Sequence, residues 1–518
     1  MDFASPYHLI YHSLLLIPLL HYLLILLSGI SFLLYRFFEI HFVYDLLHAF
    51  RGDPVTLTHN ASSKVYQYVA SCSPVLHGRF LPTPWLSSPH LQTLFLSFFN
   101  WSPDIEYKRE LFRCSDGGTL ALDWVISSDA KQSGDLMNSG MNSKNAIVVI
   151  IPGLTSDSTS AYVKHLALKF AKDGCNVVVV NHRGLGGVAI TSDRLYNAAW
   201  IEDAETIINH VHNLHRNALL FAVGTSLGAN ILVKYLAHAG PSTPLLAAAA
   251  ICCPWDLVQC DRFMNRYLSQ RLYSKALAFG LYGYAKCHFS VISRLVNWNS
   301  IQKSRSVRDF DDCATRILGN FETVDCYYRE SSSVNCIGKV TVPLLCISAL
   351  DDPICTKEAI PFDECQANPN VLLATTAHGG HVAFYEGLRA DRLWWVRATC
   401  EFFLALSRCP LAQSVKDDGV ADCDKIVDDV ARDDVTVDDV VRDDVTVDDM
   451  AEVGKRVDDV VEDNKGVDGE LERFRVRGEI RRRGGVSVWL LAYIAIVTSW
   501  PLLGYGLRFL LKKKLRIK

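Results

Sequence analysis

An apolar run, Ala218-Leu219-Leu220-Phe221-Ala222-Val223, passes directly into Gly224-Thr225-Ser226-Leu227-Gly228 and then into the helical pattern Ile231-Leu232-Val233-Lys234-Tyr235-Leu236. Few architectures accept that succession. A serine between two glycines, on the turn from a strand into a helix, is the pattern of a nucleophile elbow. The turn strains the serine backbone, and the small neighbours let strand and helix approach closely. Ser226 is the candidate nucleophile. Its hydroxyl needs a base to take the proton, and the base needs an acid to orient it.

The elbow implies a surrounding sheet, and the sequence supplies one. Ala146–Ile151, Val177–Val180, Leu219–Val223, Leu245–Cys253, Leu344–Ile347 and Val371–Ala374 are short, continuous apolar runs. Continuity rather than alternation predicts parallel strands covered on both faces. Between the first two runs, Tyr162, Leu166 and Phe170 recur at helical spacing, with Gly174 placed to close the helix. A second helix is expected from Ala198 to Leu214, with Trp200, Ala204, Ile207, Ile208 and Val211 on one face. Alternating strands and helices predict an α/β, mostly parallel, doubly wound sheet. The segment from about 257 to 340 breaks the rhythm and reads as helices inserted between two strands, a cap over the pocket.

In such folds the partners follow the serine in the order acid, then histidine. The strand ending at Ser348 runs into Ala349-Leu350-Asp351-Asp352-Pro353, which puts a carboxylate just past the carboxyl end of the sheet. Asp352 is the preferred acid and Asp351 the alternative. After the last strand, His378-Gly379-Gly380-His381 offers two bases, and the two glycines favour His381 as the one that can swing over the sheet edge. Asp351, Asp352, His378 and His381 would also serve as an inventory of metal ligands, but that leaves Ser226 without a role. Developing negative charge on a substrate oxygen needs N–H donors. The backbone N–H of Leu227, opening the helix, is one candidate. The Leu154 N–H, in the turn Pro152-Gly153-Leu154-Thr155, is the other.

The ends of the 518-residue chain have a different character. Leu14 to Tyr35 carries no Lys, Arg, Asp or Glu and is long enough for a bilayer, which takes about 20 residues. We expect a membrane anchor within residues 1–50. A second apolar stretch, 486–511, lies in a C-terminal membrane segment (481–518) with a basic tail. Basic clusters on both sides of it oppose a simple span, and Pro501 allows a bent hairpin instead. The positive charges after the first stretch place the middle of the chain in the cytosol, whereas the sequons Asn60-Ala61-Ser62 and Asn100-Trp101-Ser102 would be used only in a lumen. Between residues 411 and 480 lies an acidic linker in which the run Arg432–Val441 is nearly copied by Arg442–Ala451. Its composition cannot hold a fold, and it lacks the glycine of a tight calcium loop. The globular domain is thus expected over 51–410. Net charge is −4 with no basic patch in that domain, which argues against nucleic acid as a partner. The cysteines lack the spacing of metal sites or disulfide frameworks and read as buried thiols.

Together with His90-Leu91-Gln92-Thr93-Leu94, Asn181-His182-Arg183-Gly184 and Arg308-Asp309-Phe310-Asp311-Asp312, these residues resemble the embryogenesis-associated branch of the α/β-hydrolase superfamily. That branch includes animal membrane-bound abhydrolase-domain lipases and yeast ethyl-ester synthases. The resemblance covers about residues 88 to 403. It implies an α/β-hydrolase fold with Ser226, Asp352 and His381 as a triad. It also implies hydrolysis of a carboxylester, acylglycerol or phospholipid, and in some members transfer of the acyl group to an alcohol. A membrane, most readily an endomembrane such as the endoplasmic reticulum, and a lipid or acyl-ester substrate are the expected partners. No metal or organic cofactor is implied. The rival expectation is a catalytically silent, membrane-tethered receptor or scaffold of the same fold.

Overall fold

The computed structural model describes residues 14–37, 50–99, 102–127, 146–408 and 472–475. The strands of its large sheet are, in chain order, β1 (Thr56–His59), β2 (Glu106–Arg113), β3 (Thr119–Val125), β4 (Ala146–Ile151), β5 (Asn176–Asn181), β6 (Leu219–Thr225), β7 (Ala247–Ile251), β8 (Leu344–Ala349), β9 (Val371–Thr376) and β10 (Glu472–Arg475). They form one sheet in the spatial order β10-β2-β3-β5-β4-β6-β7-β8-β9-β1. The six strands from β5 to β9 in that order are mutually parallel, and the outer pairings are antiparallel. The parallel strands are the six apolar runs. Every residue of β4, β7, β8 and β9 is buried, as a strand covered on both faces must be.

Two hydrophobic cores lie on opposite faces of the sheet. Alternate residues of β4 divide between them: Ile147, Val149 and Ile151 face one, and Ala146, Val148 and Ile150 the other. Among the helices that precede β4 are α1 (Leu19–Phe37) and α2 (Pro89–Phe99). α3 (Ala161–Lys172) covers one face with Tyr162, Leu166 and Phe170, beside the final helix of the domain, Trp394–Ser407. Gly174 follows α3 at φ 101°, the left-handed turn expected of it. α4 (Glu202–Leu214) and α5 (Leu227–Ala239) cover the opposite face. Between β7 and β8 the chain leaves the sheet as a run of helices. They include α6 (Leu257–Met264), α7 (Leu268–Cys287), a π-helical stretch Asp311–Thr315 and α8 (Val324–Ser331). They fill the segment, about 257–340, in which inserted helices were expected.

Several expectations are corrected. α4 starts at Glu202 rather than Ala198, because the Asn197 side chain first accepts the N–H groups of Ala199 (2.9 Å) and Trp200 (3.1 Å) and turns the chain. Trp200 therefore lies outside the helix, with the guanidiniums of Arg183 and Arg194 over its ring. β7 is shorter than the apolar run 245–253, since Cys252 turns to φ 49°. The antiparallel outer strands carry no continuous apolar run. β2 carries five charged residues among its eight, and Arg109 pairs at 2.7 Å with Asp123, its direct neighbour on β3. Within the stretch read as a solvated linker, Glu472–Arg475 instead pairs with β2. The acidic run has ended by Gly469, and an open sheet edge offers unpaired backbone groups to such a segment.

α1 leaves most of its apolar side chains uncovered, with Leu19, Ile25 and Phe32 all exposed, though Leu34 packs against a core. Among the described residues, no helix is long and apolar enough to cross a membrane. The remainder of the acidic repeat, the 486–511 stretch and Asn100-Trp101 of the second sequon lie outside the described residues. In the first sequon, Asn60 Nδ2 donates to the carbonyls of Gln366 and Ala367, both at 3.0 Å.

Candidate active site

The elbow is enforced by sterics. Ser226 sits at φ 51°, ψ −119°, a conformation that side chains other than hydrogen rarely adopt. A Cβ on Gly224 would lie 2.4 Å from the Gly228 carbonyl oxygen, and one on Gly228 would lie 2.1 Å from the Ile151 carbonyl oxygen. Only glycine fits either place. The Ser226 N–H donates to the Ile251 carbonyl (2.8 Å) at the end of the adjacent strand, which fixes the turn to β7.

The loops after β8 and β9 bring two His–Asp couples to the same edge of the sheet. His381 Nε2 is 2.9 Å from Ser226 Oγ, and His381 Nδ1 is 2.8 Å from Asp352 Oδ2. The other oxygen of Asp352 accepts the N–H groups of Ile354 (2.8 Å) and Cys355 (2.9 Å), so the buried carboxylate cannot turn. With a proton on Nδ1 facing Asp352, Nε2 is left to accept the serine proton; the bond network dictates this tautomer. The alternatives, Asp351 and His378, pair with each other at 3.0 Å. Asp351 also accepts the Gly380 N–H (3.1 Å), and Asp53 lies 3.6 Å from the far nitrogen of His378. Burial pushes the Asp351 carboxyl upward, partly offset by His378. The four residues of the metal reading therefore divide into two separate couples. Cys252 Sγ, Asp352 and His381 do converge within 4.8 Å. There Asp352 is bound to His381, and burial beside Asp352 holds the Cys252 thiol well above its usual range.

α2 gives His-Leu-Gln-Thr-Leu a structural meaning that its sequence does not announce. Thr93 Oγ1 accepts the His381 N–H (3.0 Å), and Gln92 Oε1 accepts the Tyr385 N–H (3.0 Å). Gly380, at φ 63°, runs so close that a Cβ there would be 2.7 Å from the Pro89 carbonyl oxygen. His90, whose pKa burial lowers to about 4, joins this helix to Tyr273 of α7 at 3.0 Å. The loop bearing His381 is thus clamped from below by Asp351 and from the side by α2.

The turn after β4 is held equally firmly. Gly153 and Thr155 donate their N–H groups to the hydroxyls of Tyr162 (2.9 Å) and Tyr196 (3.1 Å). His182, kept neutral by burial, reaches the Pro152 carbonyl (3.0 Å) and stacks on Tyr196. Asn181 accepts the Ser158 N–H at 2.8 Å. Asn-His-Arg-Gly is thereby the brace of this turn, a role its sequence alone did not reveal. Leu154 lies between the two anchored amides, and Leu227 opens α5, where helix geometry gives its N–H no intrahelical acceptor. Both residues line the cavity with Ser226 and His381.

That cavity measures about 860 Å³ and lies between sheet and cap. Leu257, Met264, Leu281, Ile292 and Phe310 make it apolar, and Tyr196, Tyr284, Tyr327 and Tyr328 add rings. Two acids line this region: Asp261 of α6, paired with Arg308 at 3.0 Å, and Asp311 on the π-helical stretch. Asp311 is bound to the Tyr328 hydroxyl at 2.8 Å, and burial raises its pKa to about 6. The arrangement can activate a serine against an acyl group held in an apolar chamber.

Residues 142–387 match the family described as "Serine aminopeptidase, S33". The chain is 38% identical over 308 residues to embryogenesis-associated protein EMB8 of Picea glauca, covering 59% of this chain and 67% of that protein. It is 31% identical over 361 residues to phospholipase ABHD3 of Bos taurus, covering 70% and 86%. To the medium-chain fatty acid ethyl ester synthase/esterase 2 of Saccharomyces cerevisiae it is 27% identical over 387 residues, covering 63% and 85%.

Proposed function

Because the chain belongs to the α/β-hydrolase family of EMB8 and the ABHD3 phospholipases, we propose that it is a membrane-associated serine hydrolase of lipid carboxylic esters, working through Ser226, His381 and Asp352. The observation that carries this reading is the unbroken bond chain from Ser226 Oγ through His381 to Asp352 at the floor of the apolar cavity.

His381 Nε2 takes the Ser226 proton as Oγ attacks the ester carbonyl carbon, and the carbonyl electrons move onto oxygen. The Leu154 and Leu227 N–H groups receive that oxyanion, which such preorganised donors stabilise by roughly 3–4 kcal/mol each. Asp352 holds the imidazole in place and stabilises its cationic form. When the carbon–oxygen bond to the alcohol breaks, His381 returns the proton to the leaving oxygen. Water then repeats the sequence, releasing the acid and Ser226; an alcohol in place of water yields a new ester. An ester rather than a peptide suits a cavity whose walls are mainly aliphatic and aromatic, as do the names of the phospholipase and ethyl-ester relatives. Association with a membrane follows from the exposed apolar side chains of α1.

Labelling by a fluorophosphonate probe tests the assignment. The wild-type chain should label, and Ser226→Ala and His381→Ala should not, while keeping the wild-type melting temperature. A folded wild type inert to the probe would replace the hydrolase with a silent receptor.

A further inference from the structure

Over its first half, α7 is amphipathic the wrong way round. Its inward positions there are Ser269, Gln270 and Ser274, all buried. Its outward positions there are Leu268 and Leu272, 63% and 49% exposed, and Phe279, 71% exposed, continues the same line just beyond. At about 100° per residue these three fall within one narrow stripe. A helix bathed in water shows the reverse pattern. The inward polar groups are engaged, since Ser269 donates to Gln270 (3.0 Å) and Ser274 accepts the Val307 N–H (3.3 Å). The second half returns to ordinary polarity, with Leu281, Tyr284 and Ala285 inside.

The stripe leads to the cavity. Phe279 lines it, and so does Phe98 at the end of α2, which is 62% exposed. Charge on this segment has one sign. From Arg262 to Cys287 the sequence holds Arg262, Arg266, Arg271, Lys275 and Lys286, and no Asp or Glu. All five basic side chains are exposed. An apolar stripe flanked by cations fits the boundary between anionic headgroups and acyl chains.

We propose that this face of α7, with Phe98, is the surface by which the cavity seats on an anionic phospholipid bilayer, so that acyl chains enter from the hydrocarbon without crossing water. The substrate side of this proposal rests on the lipid-ester reading above; the docking side does not.

The test uses the full chain reconstituted into vesicles of phosphatidylcholine and phosphatidylserine carrying a photoactivatable phospholipid. Lipid adducts should map to peptides spanning 262–279 as well as to α1. Adducts absent from 262–279 would overturn the proposal, as would crosslinks joining 268–279 to a second copy of the chain. In the same vesicles, Leu268→Ser/Leu272→Ser should slow hydrolysis of a long-chain ester by about tenfold or more. Hydrolysis of a soluble short-chain ester should stay at the wild-type rate, because neither leucine lines the cavity. Equal rates on the vesicle substrate would count against docking. Arg266→Glu/Arg271→Glu should show its defect only when phosphatidylserine is present. If wild type hydrolyses neither ester yet still forms the 262–279 adducts, the lipid-ester reading fails and the docking surface stands.

Discussion

The parallel half of the sheet and the cap obey opposite rules. From β4 to β9 the strands are buried and apolar, and their loops deliver Ser226, Asp352 and His381 to one edge with glycines where nothing larger fits. The cap buries Asp311, Ser269, Gln270 and Ser274 while exposing Leu268, Leu272 and Phe279. Atoms that must hold position to fractions of an ångström sit where packing leaves no choice. The part that selects and admits a substrate keeps polar groups inside and grease outside, at a cost in stability that the sheet does not share.

The sharpest way to break that comparison is at the sheet edge. Ser226→Ala should lower kcat by at least about four orders of magnitude without moving Tm; a smaller loss would mean another nucleophile. Next come the two aspartates. Asp352→Asn should cost about 10⁴-fold in kcat, because the imidazole loses its orienting acceptor. Asp351→Ala should cost on the order of tenfold and also lower Tm, since it frees the Gly380 amide and His378 but leaves the His381–Asp352 bond. Equal kcat losses would show that the two couples act as one. Gly228→Ala should destabilise the fold by about 3–5 kcal/mol in denaturant titration, because the new methyl meets the backbone of β4.

The cap should answer in the other direction. The Asp311 carboxyl is raised from 3.8 to about 6 in the folded chain, so the native state holds its proton when the unfolded state has lost it. Its contribution is therefore favourable at low pH and is withdrawn as pH rises from about 4 through about 6, amounting to roughly 2–3 kcal/mol. Asp311→Asn should remove that slope from a plot of Tm against pH and raise Tm at pH 7. A slope that persists would place the titration elsewhere.

The same contrast explains what the sequence disclosed. The central strands were readable because burial on both faces leaves unbroken apolar runs, and β4 covers the residues expected of it, Ala146–Ile151. Ser226 was readable because an elbow needs small residues at fixed spacing. β1 and β2 were not, since partly exposed antiparallel strands carry polar or charged residues such as Arg109, whose partner Asp123 lies on the buried strand β3. Choosing Asp352 and His381 over their neighbours rested on spacing, and the structure joins that pair to Ser226. The bracing by Thr93, Gln92 and His182 was invisible, because each acts across a long stretch of chain. The inverted polarity of α7 was not legible in the inserted segment, because its pattern states which residues share a face, not which face meets solvent.

The bond from Thr93 to the His381 amide joins residues 288 positions apart. Ribosomes add about 5–20 residues per second, so α2 leaves the tunnel roughly 15–60 s before the loop it will clamp. During that interval Gln92 and Thr93 have no loop to hold, and the sheet strands can assemble without a fixed base. The hydrolytic machinery is therefore assembled late in synthesis, when the last parallel strand arrives and the earliest part of the domain closes over it. A nascent chain stalled before residue 381 would hold Ser226 without the imidazole that lies 2.9 Å from it in the finished fold.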